Sequence, residues 1–200
     1  MRTVRSHDQD EAAHKPPRRR GAEILPAGWG TVGEFVPGVG GEWWTLLCDS
    51  GRKRFTEEVS ALRSTCSGNE WPLLVADLSR LLEDAEGGLL VFDTTNTRGE
   101  VCRPRGLKSC EDDKTRLDVQ EVLELRIERT FNLDDRRRHL RLYYSEPSDQ
   151  LGMLLHLHLA HKTSRADGLA EQNCQIIEAQ RRFNTWWPGR PDGAERMRPL

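Results

Sequence analysis

VLELRIERT (122–130), HLRLYYSEP (139–147) and LGMLLHLHLAHK (151–162) decide how this chain folds. In the first stretch Leu123, Leu125 and Ile127 alternate with Glu124, Arg126 and Glu128, and a two-residue period places the two sets on opposite faces of a strand. In the third, Leu155, Leu157 and Leu159 alternate with Leu154, His156, His158 and Ala160. Short polar connections between the three, including a ten-residue turn from Phe131 to Leu140, predict an antiparallel meander. Its back is apolar and its front cationic.

On the N-terminal side, Phe55, Val59 and Leu62 are spaced four and three apart, and Ser67-Gly68-Asn69 supplies a stop, which predicts a helix near 50–66. Trp71-Pro72 restarts the chain with proline in a first-turn position. Leu74, Leu78, Leu81 and Leu82 continue the stripe until Gly87-Gly88. The outer positions of this helical hairpin carry Glu57, Glu58, Asp77, Glu83, Asp84 and Glu86, so its role is packing rather than contact with nucleic acid. Trp43 and Trp44 precede Leu46 and Leu47 and read as core anchors.

Short strands are expected at 32–36 and 89–92, and TTNTRGEVCRPRG (94–106) reads as turns. On the C-terminal side Leu169, Ile176 and Phe183 recur every seven residues with Ile177 alongside, which predicts a helix over about 168–184. Residues 1–24, including KPPRRR (15–20), have few large apolar side chains and read as a disordered basic arm. Residues 186–200 read as a loose tail. Between them, 25–185 form one domain. The fold class is α+β: a small, mostly antiparallel sheet with the helical hairpin and the C-terminal helix packed on one face.

Thirty Lys and Arg face 32 Asp and Glu among 200 residues, so the net charge of -2 gives no whole-chain case for nucleic-acid binding and any such case is local. The five cysteines (Cys48, Cys66, Cys102, Cys110, Cys174) show no two-residue spacing, which argues against a disulfide framework or a zinc ribbon. No apolar run approaches the roughly 20 residues of a membrane span, and the first 15 residues lack the apolar segment of a secretory signal. A cytoplasmic protein without membrane partners is expected.

RGLKS (105–109), LELRI (123–127), LRLYYSEP (140–147), LLHLHLAHKT (154–163) and the closing helix resemble, in that order, the RelE/ParE toxin superfamily, and more closely its HigB-like, phage-derived branch. The resemblance covers roughly residues 43–185. It implies a type II toxin: a metal-independent endoribonuclease that cleaves mRNA, often on the ribosome, by attack of a 2′-hydroxyl on the adjacent phosphate. It also implies a cognate antitoxin, a small helix-turn-helix protein, and no cofactor. That chemistry needs a proton acceptor, a proton donor for the leaving 5′-oxygen, and cations for the growing phosphate charge.

Arg141 stands where the family has its phosphate-binding arginine, and Lys162 matches one of the basic residues that end the last strand. His161 and His158 are candidates for proton transfer, since imidazole titrates near neutral pH. Arg126, within the E-L-R motif, and Lys108, in the leucine-lysine pair, are expected to contact RNA, as are Arg136, Arg137 and Arg138 at the basic turn. Each has a plainer alternative. Arg141 can pair with Glu124 or Glu128 across the sheet, the three arginines can be a solvated turn, and His156-x-His158 with His161 can in principle hold zinc, although no carboxylate or cysteine is spaced to complete the site. A non-catalytic relative that blocks a protein target, as ParE-type members do, or an inactive phage-derived remnant is the alternative function.

Overall fold

The computed structural model describes residues 38, 40–91, 100–102, 122–133, 135–147, 150–164, 168–186 and 197–200. The expectations for residues 1–24 and 32–36, and for Lys108, lie outside them. The chain is α+β, with β1 (Glu42–Leu46), α1 (Arg54–Thr65), α2 (Glu70–Glu86), β2 (Val101–Cys102), β3 (Leu123–Leu133), β4 (Arg136–Ser145), β5 (Met153–Thr163), α3 (Gly168–Trp186) and β6 (Met197–Pro199) in order. One six-stranded sheet runs β2-β3-β4-β5-β1-β6. The meander β3-β4-β5 is antiparallel, and β1 joins β5 in parallel.

Both helices of the predicted hairpin form; of the expected stripes, Leu62 on α1 and Leu74, Leu78 and Leu81 on α2 are buried, Phe55, Val59 and Leu82 are partly buried against them, and Ala85 joins the core. Each fully buried leucine contributes about 1.5–3 kcal/mol relative to exposure. Trp43 is buried on β1 and its indole Nε1–H donates to Leu82 O at 3.0 Å, fixing α2 over the sheet.

The helices do not share one face. Leu123, Leu125, Ile127, Leu142 and Tyr144 pack with α1 and α2, whereas Tyr143, Leu155 and Leu157 pack with Ile176, Ala179 and Phe183 of α3. Alternation alone shows that a strand has two faces. It does not show how many of them a helix covers.

Five further expectations are corrected. A β-bulge interrupts the β4–β5 register between Tyr143 and Tyr144, which pair with His158 and His156, leaving Leu157 as the extra residue. Strict alternation is therefore broken in mid-strand: His158 joins Tyr143 on the α3 face, while Leu159 joins Leu142 on the other. The ten-residue turn is instead a tight hairpin, with Leu133 opposite Arg136 and Asp135 at φ 57. Asp tolerates that left-handed conformation better than most residues. Finally, the C-terminal stretch read as a tail supplies β6, which pairs antiparallel with β1, and Val101–Cys102 forms β2 within the stretch read as turns, while 89–91 form no strand. No helix among the described residues is long and apolar enough to cross a membrane.

Candidate functional site

On the α3 face, Arg126 of β3 stands directly opposite Arg141 of β4. Between them lies Glu124, whose side chain is only 1% exposed; its Oε1 is 3.0 Å from Arg141 Nε and 3.4 Å from Arg126 Nε. Gln172 of α3 donates Nε2–H to the other carboxylate oxygen at 2.5 Å and accepts from Lys162 Nζ at 2.7 Å. Arg141 Nη1 also donates to Leu140 O at 2.8 Å. Among the described residues, two guanidinium groups and an ammonium thus gather round one buried carboxylate.

Two neighbours extend the cluster along β4, where residues two apart share a face. His139 is opposite Lys162, and Arg137 follows at the hairpin end. Burial first, then the positive charges of Arg141, Lys162 and Arg137, hold the His139 imidazole below its ordinary range, so the ring is neutral and able to accept a proton at pH 7. Burial and the charges of Arg141 and Arg126 likewise pull Lys162 down, only partly offset by Glu124, which makes its ammonium a readier proton donor. His139 escaped the sequence reading because its role depends on facing Lys162 across two strands. Its place two residues before Arg141 was the available signal.

The predicted residues fall in several places. Arg126, Arg141 and Lys162 converge. His161 does not join them: it lies opposite Leu140 on the other face, with its ring edge-on to Phe131 at 5.8 Å. Arg136 and Arg137 are exposed, and Arg138 is drawn to Glu171 at the start of α3, with Nη1 3.0 and 3.1 Å from the two carboxylate oxygens.

His158 belongs to a second cluster, at the edge of β5. Beyond His156 there is no β1 residue alongside β5. Side chains take the strand's place: Glu58 of α1 accepts the Leu159 N–H at 2.7 Å, and Arg182 of α3 donates to Leu157 O at 2.6 Å. Glu58 Oε1 also meets Arg182 Nη1 at 2.6 Å and His158 Nδ1 at 2.8 Å, while Oε2 lies 3.1 Å from His156 Nε2. His158 Nε2 reaches Gln175 Oε1, and its ring stacks on Tyr143. Burial alone would raise the Glu58 carboxyl, but the hydrogen bonds from His156 and His158 outweigh it and hold the group below the ordinary carboxylate range. Burial pushes His156 down, and the Thr45 hydroxyl 3.1 Å from its Nδ1 suits the neutral ring. A shallow cavity of about 260 Å³ lies beside this cluster, lined by Glu58, Leu62, Leu140, His158 and His161 among others. The two histidines of the H-x-H pair thus share a carboxylate from opposite sides of the bulge. No group of three His, Cys, Asp or Glu that could hold a metal ion occurs among the described residues.

Comparisons with family models, with curated proteins and with solved structures returned no match to this chain.

Proposed function

We propose that this chain is the toxin component of a type II toxin-antitoxin system, a metal-independent endoribonuclease of the kind implied by its resemblance to HigB-like members of the RelE/ParE superfamily. The observation that carries this reading is the cross-strand pair Arg126 and Arg141, with Lys162 and His139 on the same face. Guanidinium groups grip phosphate oxygens in pairs and stabilise charge that grows during attack. His139 accepts the proton of the attacking 2′-hydroxyl. Lys162 donates one to the departing 5′-oxygen. The product is a cyclic phosphate and a free 5′-hydroxyl. The substrate is mRNA, on the ribosome or free in the cytoplasm, and a small helix-turn-helix antitoxin is the partner.

A second reading rests on Glu124. Because this buried carboxylate already engages Arg126, Arg141 and Gln172, the cluster also serves as a polar core under α3, as in a non-catalytic relative that inhibits a protein target or an inactive phage-derived remnant. Induced expression with mapping of RNA 5′ ends separates the two. Growth arrest with new 5′-hydroxyl ends, lost in a folded Arg141→Lys variant that keeps the charge beside Glu124 but not the guanidinium fork, supports the ribonuclease. Arrest without new ends supports the protein inhibitor, and no arrest the remnant.

A further inference from the structure

Beyond the Arg126–Arg141 cluster, the same face of β4 continues through His139 to Arg137 at the end of the hairpin. There a second cavity of about 260 Å³ is lined by Asp135, Arg136, Arg137, Thr163 and Ser164. Its wall is tied together by backbone: Ser164 N–H and Oγ–H both donate to Arg137 O, at 3.1 and 3.2 Å. The cavity is therefore a formed junction between the hairpin and the end of β5.

We infer that this junction is a phosphate subsite for single-stranded RNA, and that the strand runs along β4 from Arg141 to Arg137. The ribonuclease reading supplies the identity of the ligand. Geometry supplies the track. Alternate residues on a strand are about 7 Å apart, close to the separation of successive phosphates on an extended nucleic-acid strand. Arg141 is 11% exposed and Arg126 20%, whereas Arg136 and Arg137 are exposed. Charge is thus graded from a partly covered reacting centre to an open lead-in. Arg138, one residue from both Arg137 and His139, falls on the other face of β4, opposite Phe131, and is paired with Glu171. The aromatic side chain on this face of β4, Tyr143, is buried and offers no stacking platform. Recognition is therefore of backbone charge and not of base sequence.

The test is binding of 2′-O-methyl RNA, which cannot undergo the cleavage, as oligomers of two and six nucleotides and as a six-base-pair duplex. Wild type is expected to bind the single-stranded hexamer at least tenfold more tightly than the dimer or the duplex. Arg137→Ala should abolish most of that length advantage and reduce the salt dependence of hexamer binding by about 0.7 in log-log slope, the loss of one phosphate contact on a single strand. Arg63→Ala, on α1 at the opposite face, should change neither. A length advantage that survives Arg137→Ala, or one lost equally in Arg63→Ala, overturns the subsite. Unmodified hexamer measured alongside keeps the two ideas apart. Arg137-dependent binding without cleavage upholds the track and removes the ribonuclease, whereas cleavage with no Arg137 dependence of binding does the reverse.

Discussion

Arg141 of β4 places its Nε 3.0 Å from Oε1 of Glu124 on β3, and that carboxylate is almost wholly shielded from water. The pair joins the candidate site to the fold. Removing one partner of a buried ion pair leaves an uncompensated charge, at a cost of about 3 kcal/mol or more. Arg126 and Gln172 remain to soften it. Arg141→Ala is accordingly expected to lower the urea midpoint by an amount equivalent to about 2–3 kcal/mol, well beyond the 0.5 kcal/mol typical of an exposed site. Arg141→Lys should cost less than half as much. Equal midpoints for Arg141→Ala and wild type would show that Glu124 does not depend on the pair.

Acid should unfold the protein in two stages. The folded-state pKa of His156 is lowered, so the unfolded chain binds protons first, and stability present above about pH 6.5 is lost as pH falls. His139 acts in the same direction. Glu58 is also lowered, so its contribution is present above about pH 4.3 and declines further as pH falls below that. Urea midpoints measured from pH 8 to about pH 3 should be level down to about pH 7, decrease below that and steepen below about pH 4.3, and Glu58→Gln should remove the steepening. A midpoint that is level from pH 7 to pH 5 would contradict the assignment of His156.

The β5 edge should depend on Glu58 more than on any single apolar contact nearby. Glu58→Ala frees the Leu159 N–H and removes one of the two carboxylates that pair with Arg182, leaving Glu178 on its Nε. We expect a loss of about 3 kcal/mol and faster hydrogen exchange at the Leu159 amide than at the amide of Leu142 in the interior of the sheet. Unchanged protection at Leu159 would show that the edge is held by other means.

Gly168 offers a test in which propensity and sterics oppose each other. Alanine is the better helix former by about 1 kcal/mol. A Cβ at Gly168, however, would lie 2.1 Å from the backbone oxygen of Thr163, which cannot swing aside as a side-chain tip could. Gly168→Ala should therefore destabilise, by at least 1 kcal/mol in thermal or urea unfolding. A stabilised variant would mean that the turn into α3 yields readily.

Periodicity by itself determined the local elements of this protein. Leu74, Leu78 and Leu81 form one stripe because a helix turns every 3.6 residues, and Leu123, Leu125 and Ile127 form one face because a strand alternates; both groups are buried as their spacing requires. The spacing of Arg126, Arg141 and Lys162 on their strands likewise carried enough information to bring them together, because an antiparallel meander with short connections admits few registers. Tertiary structure decided what depends on partners distant in sequence. The extra residue at Leu157 put His156 and His158 on opposite faces, the early end of β1 opened an edge for Glu58 and Arg182 to cap, and the placement of α3 turned Glu124 from an expected surface charge into a buried anchor. None of these has a local signature, since each arises where two or three segments far apart in the chain compete for the same backbone groups and the same water-free space.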